Sequence, residues 1–257
     1  MGLYGPGVAG GWSSPFSITS ANLRPFSMFG WVKDTIVGGS YGTFGISNAI
    51  FGLGSLNTGL KSYSSLAIGK SIINYFELDD VGTSNSQSTL LTILASYAVN
   101  TWVPFMSVST SAGRTSYGPD GVNATNTVAV APQTLGLVTI GDYFTGGVSG
   151  GGGTPATVMF AEFTAWSGAL GPTDFLRLVA GMSPSKLRPQ SLLFSFPLRN
   201  DLNDIGPMRL TATGPTTPIF GEHPLIMHQR YGFDRNLFKL TPPPIVKNSA
   251  NFTMMGV

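Results

Sequence analysis

The sequence predicts an all-β sandwich with one short helix and an extended arm at each end, and three observations predict it. The first is composition: 34 glycines and 18 prolines in 257 residues, with only 10% charged side chains against roughly 25% in ordinary soluble domains, describe turns and strands with little charged surface. The second is a series of short apolar runs of period two, bounded by Gly, Pro, Asn and Ser, the pattern of half-buried and buried strands. The third is the stretch 158–198, which holds a strand, a helix and a strand, each with its own punctuation. Val158, Phe160 and Glu162 alternate there with Met159, Ala161, Phe163 and Ala165, so one strand shows two faces up to Trp166. Gly171-Pro172-Thr173-Asp174 reads as a helix entry, because proline loses nothing in the first turn and an acidic side chain suits a helix N-terminus. Phe175, Leu178 and Val179 follow at helical spacing, Gly181 and Pro184 stop the helix, and Leu192, Phe194 and Phe196 resume alternation. Phe163 and Trp166 are therefore expected between sheet and helix.

The elements before that stretch follow in order. Residues 1–25 are rich in Gly, Ser and Pro, with Phe16 and Ile18 as strand candidates, and read as a flexible arm feeding the first strand. Phe26, Met28 and Val32 fall on one face and Phe29 and Trp31 on the other, which predicts a strand covered on both sides. Short strands are expected at 43–46 and 50–53, a hairpin from 63–68 and 72–78 turning about Gly69-Lys70, and a buried strand at 89–97. The next pair is 102–108 and 114–117. Pro104 cannot donate to a ladder, so its strand should begin irregularly or run at an edge. Tyr117-Gly118-Pro119-Asp120-Gly121 has turn chemistry, strands at 128–130 and 137–140 follow, and Gly146–Gly153 reads as a floppy loop. That loop has no strand, helix or Lys-Ser/Thr placed to cradle a phosphate.

Several runs now combine. Ala165-Trp166-Ser167-Gly168-Ala169-Leu170, then Leu178 to Gly181 with Pro184, Leu187-Arg188-Pro189, Pro197-Leu198, Asp201-Leu202-Asn203-Asp204 and Leu210-Thr211-Ala212-Thr213-Gly214 occur in this order. Upstream stand Trp31 in Phe26–Val32, Asn100-Thr101-Trp102-Val103 and Thr139-Ile140-Gly141. Together they resemble the concanavalin A-like, laminin-G-like jelly rolls, in the form often seen in bacteriophage structural proteins. The resemblance spans roughly residues 15 to 215 and departs where Val103 and Pro104 replace the histidines usual after the Asn-Thr-Trp. It implies a concanavalin A-like jelly-roll β-sandwich over 16–215, between an N-terminal arm at 1–15 and an extended C-terminal arm at 216–257. It carries less about function, since this sandwich hosts lectins, hydrolases, receptor modules and virion proteins alike.

Charge and motifs exclude more than they assign. A net charge of +2 from scattered basic residues is too small for a nucleic-acid footprint. No run approaches the roughly 20 apolar residues of a bilayer span, the N-terminus has no basic, apolar signal-peptide pattern, and the absence of cysteine removes disulfides and thiolate zinc sites. Glycoside hydrolysis needs two carboxylates in one cleft, which glucanases of this fold carry on alternate strand positions. The 12 carboxylates here match no such pattern, and Glu162 alone is expected to pair with an Arg or a hydroxyl. Glu77-Leu78-Asp79-Asp80 and Asp201-Leu202-Asn203-Asp204 offer oxygens but lack the spacing of a calcium loop, so turn chemistry accounts for them. His223 and His228, five apart with no carboxylate beside them, read as surface or interface residues. The expectation is a chain with no enzymatic activity, cofactor or metal.

The arms carry the partner expectation. Trp12 could stack on a sugar or a protein. Beyond Phe220, Leu225, Ile226, Met227, Phe233, Leu237, Phe238, Phe252 and Met254 are apolar without period, around Pro242-Pro243-Pro244. That is too much apolar surface to leave in water and too irregular for an amphipathic helix. Trp12, Leu225, Ile226, Phe233, Leu237, Phe238, Phe252 and Met254 are thus the expected partner-binding residues. With the resemblance, this implies a bacteriophage virion protein assembled in the host cytoplasm, foremost a capsid decoration or cementing protein on the major capsid protein, with homo-oligomeric contacts and no nucleic acid or membrane. The alternatives are a tail or fibre component and a carbohydrate-binding module for host-surface glycans.

Overall fold

A computed structural model describes residues 2–6, 11–19, 24–34, 49–54, 63–69, 72–78, 87–92, 100–118, 123–127, 134–141, 144–145, 148–149, 158–214 and 216–224, all within the unit Met1–Met227. Two antiparallel sheets face each other. The first runs, in spatial order, β10 (Asn123–Asn126), β9 (Gly113–Tyr117), β8 (Val103–Thr110), β3 (Phe26–Asp34), β14 (Val158–Trp166), β1 (Gly2–Tyr4) and β16 (Phe220–Gly221), with β15 (Leu192–Phe196) also paired to β14. The second runs β2 (Trp12–Thr19), β11 (Thr134–Ile140), β4 (Ala49–Gly54), β5 (Tyr63–Gly69), β6 (Ile72–Leu78) and β7 (Gln87–Thr92). A small hairpin, β12 (Phe144–Thr145) with β13 (Val148–Ser149), lies apart.

Strand β3 follows the sequence reading closely. Phe26, Met28 and Val32 enter the core between the sheets, while Phe29 and Trp31 enter a second core on the outer face. That outer core is closed by α1 (Pro172–Val179) through Phe175 and Leu178, with Leu170 and Leu187 beside it. At β3, β8 and β14 the first sheet is therefore buried on both faces, and every residue of β14 is buried. Between the sheets, Phe51 of β4 stacks on Phe163 with ring centroids 4.3 Å apart and meets Phe160 at 5.5 Å and Phe105 at 5.9 Å. One phenylalanine of the second sheet thus touches two strands of the first, β8 through Phe105 and β14 on both sides of its bulge through Phe160 and Phe163.

The helix begins and ends as its sequence requires. Asp174 accepts a hydrogen bond from the Gly171 N–H at 3.0 Å, and Gly181 takes φ 92°. The Met182 N–H then bonds the Arg177 carbonyl and the Gly181 N–H the Leu178 carbonyl, both at 3.0 Å, the paired bonds of a Schellman stop. The expected hairpin also forms, with Gly69 opposite Ile72, and Tyr117 pairs with Asn123 across the expected turn. Beside Pro104, β8 pairs with β3 at Trp31, but β9 ends at Tyr117 opposite Met106, so the strand does begin with one edge unpaired among the described residues.

Three expectations need correction. In β14 the register against β3 slips between Ala161 and Thr164, and Glu162 takes φ 56°. This bulge inserts one residue and reverses the phase of two. Phe163 and Ala165 therefore join Val158 and Phe160 between the sheets instead of facing the helix. Trp166 does pack under the helix, fully buried, with its Nε1–H donating to the Leu187 carbonyl at 2.8 Å. Secondly, within the arm expected at 1–15, the described strands belong to the two sheets. Gly2–Tyr4 pairs with β14, and β2 already begins at Trp12. Glycine is needed at position 2, since a Cβ there would lie 2.6 Å from the Trp102 ring and 2.8 Å from the Glu222 carbonyl. Thirdly, residues 216–224 belong to the sandwich: Phe220 and Gly221 pair with Leu3 and Gly2. Within the glycine-rich loop, Val148 and Ser149 pair with Thr145 and Phe144. The strands expected at 43–46 and 128–130, and residues 93–97, lie outside the described residues.

Candidate functional site

The densest cluster of chemistry-bearing side chains forms where β14 bulges. The slip at Ala161–Thr164 leaves Glu162 off the ladder to β3, and its N–H reaches the Pro197 carbonyl at 3.3 Å. Its carboxylate is buried, with 1% of the residue exposed. Oε1 lies 3.2 Å from Arg199 Nη2 and 3.3 Å from His223 Nε2. His223 Nε2 also stands 3.1 Å from the Pro197 carbonyl, and Nδ1 stands 2.9 Å from the Pro224 carbonyl. A neutral imidazole can donate to only one side. Three segments distant in sequence, β14, the turn after β15 and the residues after β16, thus converge on one carboxylate.

Both imidazole nitrogens face oxygens, and no hydroxyl or thiol nucleophile stands against them among the described residues. Thr164, the nearest hydroxyl in sequence, donates to the Glu162 carbonyl at 3.2 Å and shares a 2.9 Å bond with Ser195. The arrangement therefore fastens the segment after β16 to the sandwich through a buried charge. Glu162→Gln keeps the shape but removes the charge facing Arg199 and His223. It is expected to cost about 1–3 kcal/mol, read as a lower urea midpoint at unchanged slope.

The other buried carboxylates are equally engaged. Asp174 Oδ2 accepts from Arg188 Nη2 at 2.6 Å as well as from the Gly171 amide. Asp204, buried, accepts from the amides of Ser195 at 2.6 Å, Gly206 at 2.5 Å and Leu210 at 3.4 Å. In the same loop Asp201 accepts from the Asn203 amide and Asn203 from the Thr211 hydroxyl. The oxygens of Asp201, Asn203 and Asp204 hold turns, Asp79 and Asp80 lie outside the described residues, and among the described residues no group of His, Asp and Glu is placed to hold a metal. Lys33 is buried, burial lowers its ammonium below the usual lysine range, and it pairs with Glu222 with the Trp102 ring centroid 5.8 Å away. Among the described residues no helix is long and apolar enough to cross a membrane.

The expected partner-binding residues divide in two. Trp12 is 2% exposed, sits in the core between the sheets, and its Nε1–H donates to the Thr216 carbonyl at 3.1 Å. It is not available to stack on a sugar or a partner, because β2 turns it inward against the returning chain at Thr213, which pairs with Ser13. Leu225, Ile226, Phe233, Leu237, Phe238, Phe252 and Met254 lie outside the described residues, as does His228. His223 is no surface histidine: its side chain is 11% exposed, and its carboxylate neighbour comes from 61 positions upstream, where local spacing gives no sign of it.

No family model matches the chain, and neither does a curated protein. Solved structures do. A native heptameric SAP-like pentraxin from Limulus polyphemus superposes with a TM-score of 0.56 at 13% identity, covering 88% of this chain and 97% of that one. The chain is a jelly-roll β-sandwich. A tryptophan-to-alanine mutant of HCR/D gives a TM-score of 0.43 at 11% identity over 62% of this chain and 37% of that one. At 13% identity the likeness to the pentraxin is one of fold.

Proposed function

We propose that this jelly roll is a non-enzymatic structural component of a bacteriophage particle, a decoration or cementing protein that docks on the major capsid lattice and is assembled there in the host cytoplasm. The observation that carries the reading is how little charge the sandwich leaves for solvent. Charged residues make up 10% of the chain, and Lys33, Arg114, Glu162, Asp174 and Asp204 are buried. A surface so poor in charge suits a subunit covered by neighbours. The heptameric state of the pentraxin it resembles is in keeping with a sandwich that also packs against copies of itself. The buried carboxylates all hold backbone or basic groups, which favours a scaffold over a hydrolase. The deciding experiment is the stoichiometry of this chain against the major capsid protein in purified particles. A fixed ratio to capsomers is expected, and absence from the particle would overturn the proposal.

On this reading the apolar C-terminal segment is the assembly arm, and the sandwich sets where it starts. Phe220 and Gly221 extend the sheet, Glu222 pairs with Lys33, and His223 meets Glu162. Deleting 225–257 should therefore leave a folded sandwich that no longer joins the particle. Deleting 220–257 should also lower thermal stability, by about 2–4 °C for each kcal/mol lost at this size. Equal melting temperatures for the two truncations would show that residues 220–224 contribute nothing to the fold.

A further inference from the structure

A groove of about 430 Å³ opens between the one-turn 3-10 helices Pro184–Lys186 and Pro189–Ser191, the start of β15 at Leu192, and the loop through Ile205, Pro207 and Arg209. Its composition is one-sided. Lys186 and Arg209 line it from separate segments, Leu192, Ile205, Pro189 and Pro207 supply apolar surface, and the lining contains neither a carboxylate nor an aromatic ring. Ile205 is 48% exposed, one of the few large aliphatic side chains left in water among the described residues.

The walls are held rigidly. Asp204 clamps the amides of Ser195 and Gly206, the Ile205 N–H bonds the Ser195 carbonyl at 2.9 Å, and the Asp204 N–H bonds the Leu210 carbonyl at 2.8 Å. On the other wall, Leu187 is buried against α1 and accepts the Trp166 indole, fixing the turn that carries Lys186. Arg209 takes φ 53° and Arg188 φ 43°, a region that side-chain-bearing residues other than Asn, Asp and His seldom occupy. Such strain persists where the surroundings impose it and gathers at binding sites. Arg188 has a local reason, since its guanidinium pairs with Asp174. Arg209 has no ion-pair partner among the described residues, so the strained backbone presents a cation that the fold itself does not use.

We propose that this groove is a docking site for an extended acidic peptide, a segment of a partner protein in which Asp or Glu alternates with small apolar residues. Charge complementarity selects the acidic groups and the aliphatic bed selects the apolar ones. Each wall carries one cation beside apolar residues, Lys186 with Pro189 and Leu192 and Arg209 with Ile205 and Pro207, so an extended segment whose acidic and apolar side chains turn to opposite sides by turns meets both kinds of partner along the groove. The lining offers no aromatic ring on which a sugar could stack. The inference does not depend on the particle reading.

The test is fluorescence anisotropy of the full chain with a labelled decapeptide of alternating Asp and Val, at low and moderate salt. Binding is expected, weakening as salt rises from about 50 to 300 mM. Arg209→Glu and Lys186→Glu should each weaken it about tenfold or more and Ile205→Ser by about threefold, while Arg177→Glu on the exposed face of α1 leaves it unchanged. Should Arg209→Glu fail to fold, Arg209→Gly removes the charge and suits a positive φ. No binding, or binding indifferent to Arg209 and Lys186, overturns the proposal. So does equal competition by a polyuronate oligosaccharide, which would show that charge alone is read. Concentration-dependent self-association lost in the same variants would assign the groove to a second copy of the chain and overturn the peptide partner.

Discussion

Trp166→Ala is expected to destabilise the chain by about 3–5 kcal/mol, the range for emptying a large aromatic site. Trp166 is wholly buried beneath α1, among Phe29, Phe175 and Leu187, and its indole satisfies the Leu187 carbonyl at 2.8 Å. The substitution removes both the packing that joins sheet to helix and a buried hydrogen bond. Urea unfolding followed by far-ultraviolet circular dichroism reads the loss. Trp166→Phe keeps most of the apolar area but leaves that carbonyl unsatisfied, so it should cost about 1–3 kcal/mol. A cost below about 1 kcal/mol for the alanine variant would show that the helix is not fastened through this residue.

Phe51→Ala should have an effect of the same size, about 3–5 kcal/mol, for a different reason. Phe51 is the side chain of β4 that stacks on Phe163 and meets Phe105 and Phe160 across the sandwich. Its removal opens a cavity between the sheets rather than beneath the helix. Because Phe51 and Phe163 are in direct ring contact, a double-mutant cycle of the two alanine variants should show a coupling of about 0.5–1.5 kcal/mol. Phe51 with Trp166, which lie in different cores, should be additive. Coupling between Phe51 and Trp166 as large as that between Phe51 and Phe163 would mean that the two cores behave as one.

Local chemistry was enough to find α1. Gly171-Pro172, Asp174 and Gly181 each act within one turn of the helix end they define, so their roles need no knowledge of the rest of the chain. The two-faced alternation of β3 was legible because the strand keeps a period of two through Phe26, Met28, Phe29, Trp31 and Val32. The bulge in β14 was not, since a one-residue insertion is defined by the partner strand and not by the strand that contains it. That is why Phe163 was expected on the helix side and lies on the other.

The fold class is written in the residues: strands and turns in glycine, proline and period-two runs, one helix in its two caps, and no paired carboxylates or cysteine ligands in register. Those properties are local, or are sums over the whole chain. The pairing of the N-terminal strands and the meeting of the buried charges come from the way the chain returns on itself. Gly2–Tyr4 and Trp12 look like arm residues because glycine-rich neighbours carry no period, yet β14 and β11 offer them open edges to pair with. Glu162, Arg199 and His223 are 37 and 61 positions apart measured from the glutamate, and their meeting depends on antiparallel return of the chain through β15 and β16. A buried carboxylate must find positive and donor groups wherever the fold delivers them, and that delivery is a property of topology that no local pattern carries.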